Sequence, residues 1–296
     1  MKPDLCVLIH TSRFANYSVS DAMEYVQNMM DYVFSTDDSR KSVQILESSW
    51  HLSTLNSGGF LLRYSGDDIT SWRQDVGKYG DDVAWAGGTI WIRRGKSKDE
   101  MQVRLYFHHE FPMGNPKYQG EKSIFLMIPE RLWRGMDPVV FSDLICKTAC
   151  ALNATYAYAD VAWLPVTTLH FAYFRSLCEN GKELDPEEKL PGIFWGQYVT
   201  QKMVEATATI DEIAAQAPCD VKKVYSGADQ RGVWLQLSSN PNNASIESRQ
   251  VLRRYFDRSL YTLSPKLVKE RSQIKIIKSI DFDTLPLLPE EKFMLE

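Results

Sequence analysis

The chain has 296 residues and a mass of 34.0 kDa, with 44% hydrophobic and 24% charged residues. That is the balance of a soluble globular protein able to bury its own core, and it argues against disorder over most of the length. Lys plus Arg total 34 and Asp plus Glu 38, for a formal net charge of −4 and a pI of about 5.8; a general nucleic-acid binder, which needs concentrated positive charge, is disfavoured.

The first apolar run, Leu5 to Ile9, is too short for the core of a secretory signal. It reads instead as a short buried strand. Ser20-Asp21 then supplies a cap for a helix to about Phe34, with Met23, Val26, Met30 and Val33 near helical spacing. After a polar loop, Ser35 to Lys41, strands are expected at Val43–Glu47 and Phe60–Tyr64. Three more follow at Thr89–Arg93, Gln102–Phe107 and Ser123–Ile128. In the middle one, Val103, Leu105 and Phe107 alternate with Gln102, Arg104 and Tyr106, the pattern of a half-buried antiparallel sheet.

Asp137-Pro138 marks a helix start, and its apolar positions continue through Leu152. Ala154 to Val161 reads as a strand, with helix left open by its Ala and Tyr content. The most apolar stretch, residues 156–174, is interrupted by Asp160, Pro165 and His170, so core is expected there rather than a membrane span. Glu179 to Leu190 is a charged loop and the natural place for a division. Beyond it come Leu190 to Val199, a helix reaching Ala217, and strands at Val221–Tyr225 and Gly232–Leu237 joined by a Ser226–Gln230 turn. Asn240-Pro241-Asn242-Asn243 leads into a helix from about Ala244 to Leu260, and a last strand is expected at Gln273–Ile280.

Strands in runs, punctuated by helices, imply an α+β fold of mainly antiparallel sheets with packed helices. An N-terminal α+β part, residues 1–180, and a C-terminal α+β part, 181–296, form either two subdomains or one compact unit.

The search for chemistry finds neither a phosphate-binding loop, a dinucleotide-binding turn nor a nucleophile elbow. The nearest thing to a catalytic cluster is His108-His109-Glu110 at a strand end. Adjacent strand residues point to opposite faces, so His108 and Glu110 share a side while His109 does not. Two ligands fall short of a zinc site, and a polar strand end competes with a hydrolase or metalloenzyme reading of these residues.

The five cysteines, Cys6, Cys146, Cys150, Cys178 and Cys219, contain no Cys-x-x-Cys pair. Cys146 and Cys150 share a helix face and read as core thiols; a reducing cytoplasm is the expected setting. No cofactor and no metal is expected.

Acidic pairs recur in loops, among them Asp67-Asp68, Asp81-Asp82 and Glu187-Glu188. Such pairs are either simply solvated or serve to steer a basic partner. Arg249, Arg253, Arg254 and Arg258 lie at four-residue spacings, read as a solvated helix face in competition with phosphate binding.

Leu190-Pro-Gly-Ile-Phe-Trp-Gly-Gln-Tyr-Val199, the strand pair near 221–237, and Asn240-Pro241-Asn242 before an Arg-rich helix together resemble the C-terminal part of bacterial polymorphic-toxin immunity proteins. The likeness is greatest to the immunity protein 52 family and its type VI secretion relatives, in which a Pro-Gly-aromatic or Gly-Trp segment precedes a helix and a late strand enters an Asn-Pro turn. It covers roughly residues 190–260. The resemblance implies a cytoplasmic, non-enzymatic antidote that binds one cognate toxin, a nuclease similar to restriction-endonuclease-fold effectors such as TseT. Direct contact with nucleic acid or membrane is not part of that role. Asp67, Asp68, Asp81, Asp82, Glu187 and Glu188 are the candidate toxin contacts by loop position and charge. Trp195 and Tyr198 are the motif aromatics, either toxin contacts or the residues that pack the next helix onto the sheet.

Overall fold

The computed structural model describes residues 5–11, 21, 24–25, 28–29, 31–33, 43–54, 62–65, 74, 78, 83–94, 100–109, 122–161, 193–205 and 207–256. The fold is α+β, and the chain divides into two compact units, Met1–Ala154 and Thr155–Glu296. The charged stretch at 179–190 and the strand expected at 273–280 lie outside the described residues.

In the first unit, six strands run β1 (Leu5–Thr11), β2 (Val43–Thr54), β3 (Leu62–Ser65), β4 (Val83–Arg94), β5 (Glu100–His109) and β6 (Lys122–Ile128). They pair antiparallel in the order β3-β2-β4-β5-β6-β1. β2 and β4 are both longer than their apolar segments predict. β2 continues through Ser48-Ser49 and β4 begins ahead of Gly87-Gly88, because each supplies the other's backbone partners: Trp50 faces Gly88 and His51 faces Gly87. A hydrogen-bonded ladder tolerates polar residues and glycine once both strands are committed to it.

All seven residues of β1 are buried, including His10. A single helical turn, α1 (Glu130–Trp133), precedes α2 (Pro138–Ala151). The helix starts where the sequence places it. Asp137 accepts from the amides of Val139 (2.8 Å) and Val140 (3.4 Å), and Pro138 occupies the first turn. α2 packs on β1 and buries Phe141, Ile145, Cys146 and Ala149. Described residues between 21 and 33 are helical, with Met29 and Val33 fully buried. Tyr32 stacks on Phe141, and its hydroxyl accepts from the Asp137 amide at 3.1 Å. The helix cap is thereby tied to a residue 105 positions away.

The second unit contains β7 (Ala154–Asp160), β8 (Gly196–Thr200), α3 (Gln201–Glu205), α4 (Ile210–Gln216), β9 (Asp220–Ser226), β10 (Asp229–Gln236) and α5 (Ile246–Tyr255). Its strands are ordered β7-β8-β10-β9, antiparallel at every step. The β9–β10 turn is Gly227-Ala228, shorter than predicted, and Gly227 adopts φ +63°, the left-handed conformation a tight hairpin turn needs. The single helix expected up to Ala217 is two helices. Thr209 opens the second with a reciprocal box: its hydroxyl receives the Glu212 amide at 3.3 Å, and Glu212 receives the Thr209 amide at 2.9 Å.

The Arg-rich helix also differs from expectation. Arg249 and Arg253 are buried at 8% and 5% exposure, on the same side as Leu252 and Phe256. Four-residue spacing establishes a shared face; for Arg249 and Arg253 it is the covered face, Arg254 is exposed, and Arg258 lies outside the described residues.

Candidate functional site

Asp160 ends β7, and its carboxylate is 2% exposed. A buried carboxylate is costly unless paired and fully hydrogen-bonded. Arg249 of α5 meets it with a two-pronged guanidinium: Nη1 bonds Oδ2, and Nη2 bonds Oδ1 at 2.9 Å. The Trp195 amide donates to Oδ2 at 3.0 Å and the Val161 amide to Oδ1 at 2.8 Å. Arg249 Nη1 also donates to the Ile193 carbonyl at 3.2 Å. Both carboxylate oxygens thus accept two hydrogen bonds, which uses the four acceptor positions of the group. With none left open, this is a lock rather than a general acid or base.

The aromatic segment is built around that lock. Trp195 donates its indole N–H to the Ser238 carbonyl at 2.9 Å, and the Leu237 amide returns a 2.8 Å bond to the Trp195 carbonyl. Gln236 accepts from the Trp234 indole at 3.1 Å and donates to the same Ser238 carbonyl at 3.0 Å. Phe194 stacks on Tyr158 with centroids 4.0 Å apart, and its amide donates to Gln197 Oε1 at 3.1 Å. The Tyr198 hydroxyl donates to the Arg231 carbonyl at 3.3 Å. Trp195 and Tyr198 are 1% and 2% exposed. Their side chains belong to the core of this unit.

The other residues singled out by sequence are spread apart. Asp67, Asp68, Asp81, Asp82, Glu187, Glu188 and Glu110 lie outside the described residues. His108 and His109 end β5 opposite Ser123 and Lys122, at adjacent strand positions and hence on opposite faces. Among the described residues, no group of three or more His, Cys, Asp or Glu is placed to hold a metal ion. No described helix is long and apolar enough to cross a membrane.

Sequence reasoning missed the Asp160–Arg249 pair. The partners are 89 positions apart, and Arg249 shares both its spacing and its burial with Arg253 on α5, so nothing local singles it out. A lone Asp interrupting an apolar strand was the available signal.

What these features define is an α+β protein of antiparallel sheets whose aromatic segment is a locked part of its framework. No family model matches the chain, and no curated protein matches it. Among solved structures, its fold is similar to that of the Pseudomonas aeruginosa T6SS protein PA0821. The two are 11% identical, with a TM-score of 0.54 over 88% of this chain and 73% of that one. At that identity the likeness is one of fold.

Proposed function

We propose that this chain is an immunity protein that binds and neutralises a cognate secreted nuclease toxin of a type VI secretion system. The observation that carries the reading is the fold likeness to a type VI secretion protein across 88% of the chain. It supports a role associated with that system. The resemblance of residues 190–260 to immunity proteins narrows the role to an antidote. In this reading the protein acts in the cytoplasm by binding, not by catalysis, and needs no cofactor. Phe194, Trp195 and Tyr198 serve as framework, since their burial leaves little of them for a partner. The contact falls to other positions, the acidic pairs 67–68, 81–82 and 187–188 being the candidates, where charge steers a basic nuclease before short-range packing takes over.

The test is titration calorimetry of the full chain against an inactivated nuclease domain encoded by the adjacent gene, alongside co-expression with the active nuclease. The expected result is a one-to-one complex with a Kd of roughly nanomolar or tighter, and restored growth. Neither complex nor rescue would overturn the reading.

A further inference from the structure

We propose that the Asp160–Arg249 pair is a conformational latch that ties the exit of β7 to the entry of β8 and seats the start of α5 in a single event. Three parts of the chain meet at it. Asp160 and Val161 are the exit of β7, residues 193–195 are the entry to β8, and Arg249 sits in the second turn of α5. β7 and β8 are antiparallel neighbours, with Ala159 opposite Gly196, so the chain leaves and returns at adjacent strand ends. The ladder stops at that pair. One residue further out, the Asp160 carboxylate receives the Trp195 amide.

The bonding explains why a charged pair stands here. A well-packed apolar pair often equals a buried ion pair in stability. Here it would leave the Val161 and Trp195 amides and the Ile193 carbonyl short of these partners. Buried groups deprived of hydrogen bonds carry a large penalty. The pair therefore fixes the exit of β7 against the entry of β8. The remainder of α5 has its own anchors in Leu252 and Phe256, 0% and 2% exposed, so it does not depend on the latch alone. The β9–β10 hairpin carries none of the latch residues.

Native-state hydrogen exchange on the full chain tests this, comparing the natural protein with Arg249→Met and Arg249→Lys. Arg249→Met is expected to speed exchange at Val161, Trp195 and the 249–252 amides by about 100-fold or more, through local opening, while the β9–β10 amides keep their protection. Arg249→Lys keeps the charge but loses the fork, and is expected to give the same local pattern at smaller amplitude. Uniform loss of protection throughout 155–256 in either variant would overturn the latch, since the pair would then be a general stabiliser. Unchanged exchange at Val161 and Trp195 in Arg249→Met would overturn it as well.

Discussion

At Gly196 the missing side chain matters because of what lies above it. A Cβ there would overlap Cζ2 of Trp234 and lie 3.0 Å from Cη2. Trp234 cannot swing aside: it is 2% exposed, and its indole N–H is held by Gln236. Gly196→Ala is therefore expected to cost about 1–3 kcal/mol, the range for overpacking a filled core. Chemical denaturation would show it as a lower midpoint at unchanged slope; an unchanged midpoint would mean that the indole has room to yield.

Thiol chemistry is set by burial in the same way. Burial, and then the nearby Cys150, push the Cys146 thiol far up, while burial takes Cys219 to about 12, Asp220 adding to the rise and the Gln236 amide opposing it. The thiolate is the reactive form. At pH 8, peptide mapping after brief alkylation is expected to find both cysteines unmodified in the folded protein and labelled in denaturant. Equal labelling in both conditions would contradict the burial of Cys146 and the shielding of the half-buried Cys219. Of these residue-scale features, the core status of Cys146 was legible from its place on a predicted apolar helix face. The latch was not, because one-dimensional spacing carries no information about a contact between residues 160 and 249.

Among elements, helix starts were easier to read than helix ends. Asp137-Pro138 announced α2 because the carboxylate and the ring each satisfy a local requirement of the first turn. Thr209-x-x-Glu212 is an equally local signal, but it was submerged in a longer apolar pattern, so two helices looked like one. β2 and β4 were cut short for the opposite reason: their outer halves are specified by pairing with each other and not by hydrophobicity.

The caps of α4 and α5 also predict a pH response. The Thr209 hydroxyl, followed by its backbone amide, holds the Glu212 carboxyl below the ordinary glutamate range. Glu247 is lowered by its own amide and then by the Ser245 hydroxyl. A depressed folded value means that the contribution is fully present above the unfolded value and is lost as pH falls through the folded one. NMR titration should therefore find both carboxyls protonating later than an ordinary glutamate as acid is added. Thr209→Ala should return Glu212 toward its usual value and cost about 1 kcal/mol as a lost N-cap. If Glu212 keeps its low value in that variant, the box is not the cause.

On the scale of the whole molecule, runs of strands separated by helices favoured an α+β fold over a doubly wound sheet, and the antiparallel order in each unit agrees with that pattern. A partner surface is harder to read, because an inhibitor's contact needs no fixed constellation of residue types. Electrostatics narrows the choice. Among the described residues of the second unit, charges of opposite sign lie side by side: Lys202 and Glu205 lie along α3, Asp211 pairs with Lys223, and Asp229 lies 4.0 Å from Arg231. Such a surface produces little net field beyond a Debye length, about 8 Å at physiological salt. In the sequence, acid is concentrated instead at Asp67-Asp68, Asp81-Asp82 and Glu187-Glu188, in stretches whose residue types predict loops.

If the protein captures a basic nuclease, those loops govern the encounter. Replacing the three pairs by Lys is expected to slow association by about 10-fold or more at low salt, with the natural and altered proteins converging as salt rises. Dissociation should change much less, because rim charges act on approach and the buried contact sets residence. Stopped-flow association across a salt series separates the two effects. Equal association rates and equal salt slopes would remove these loops from the approach path, even if the complex itself forms.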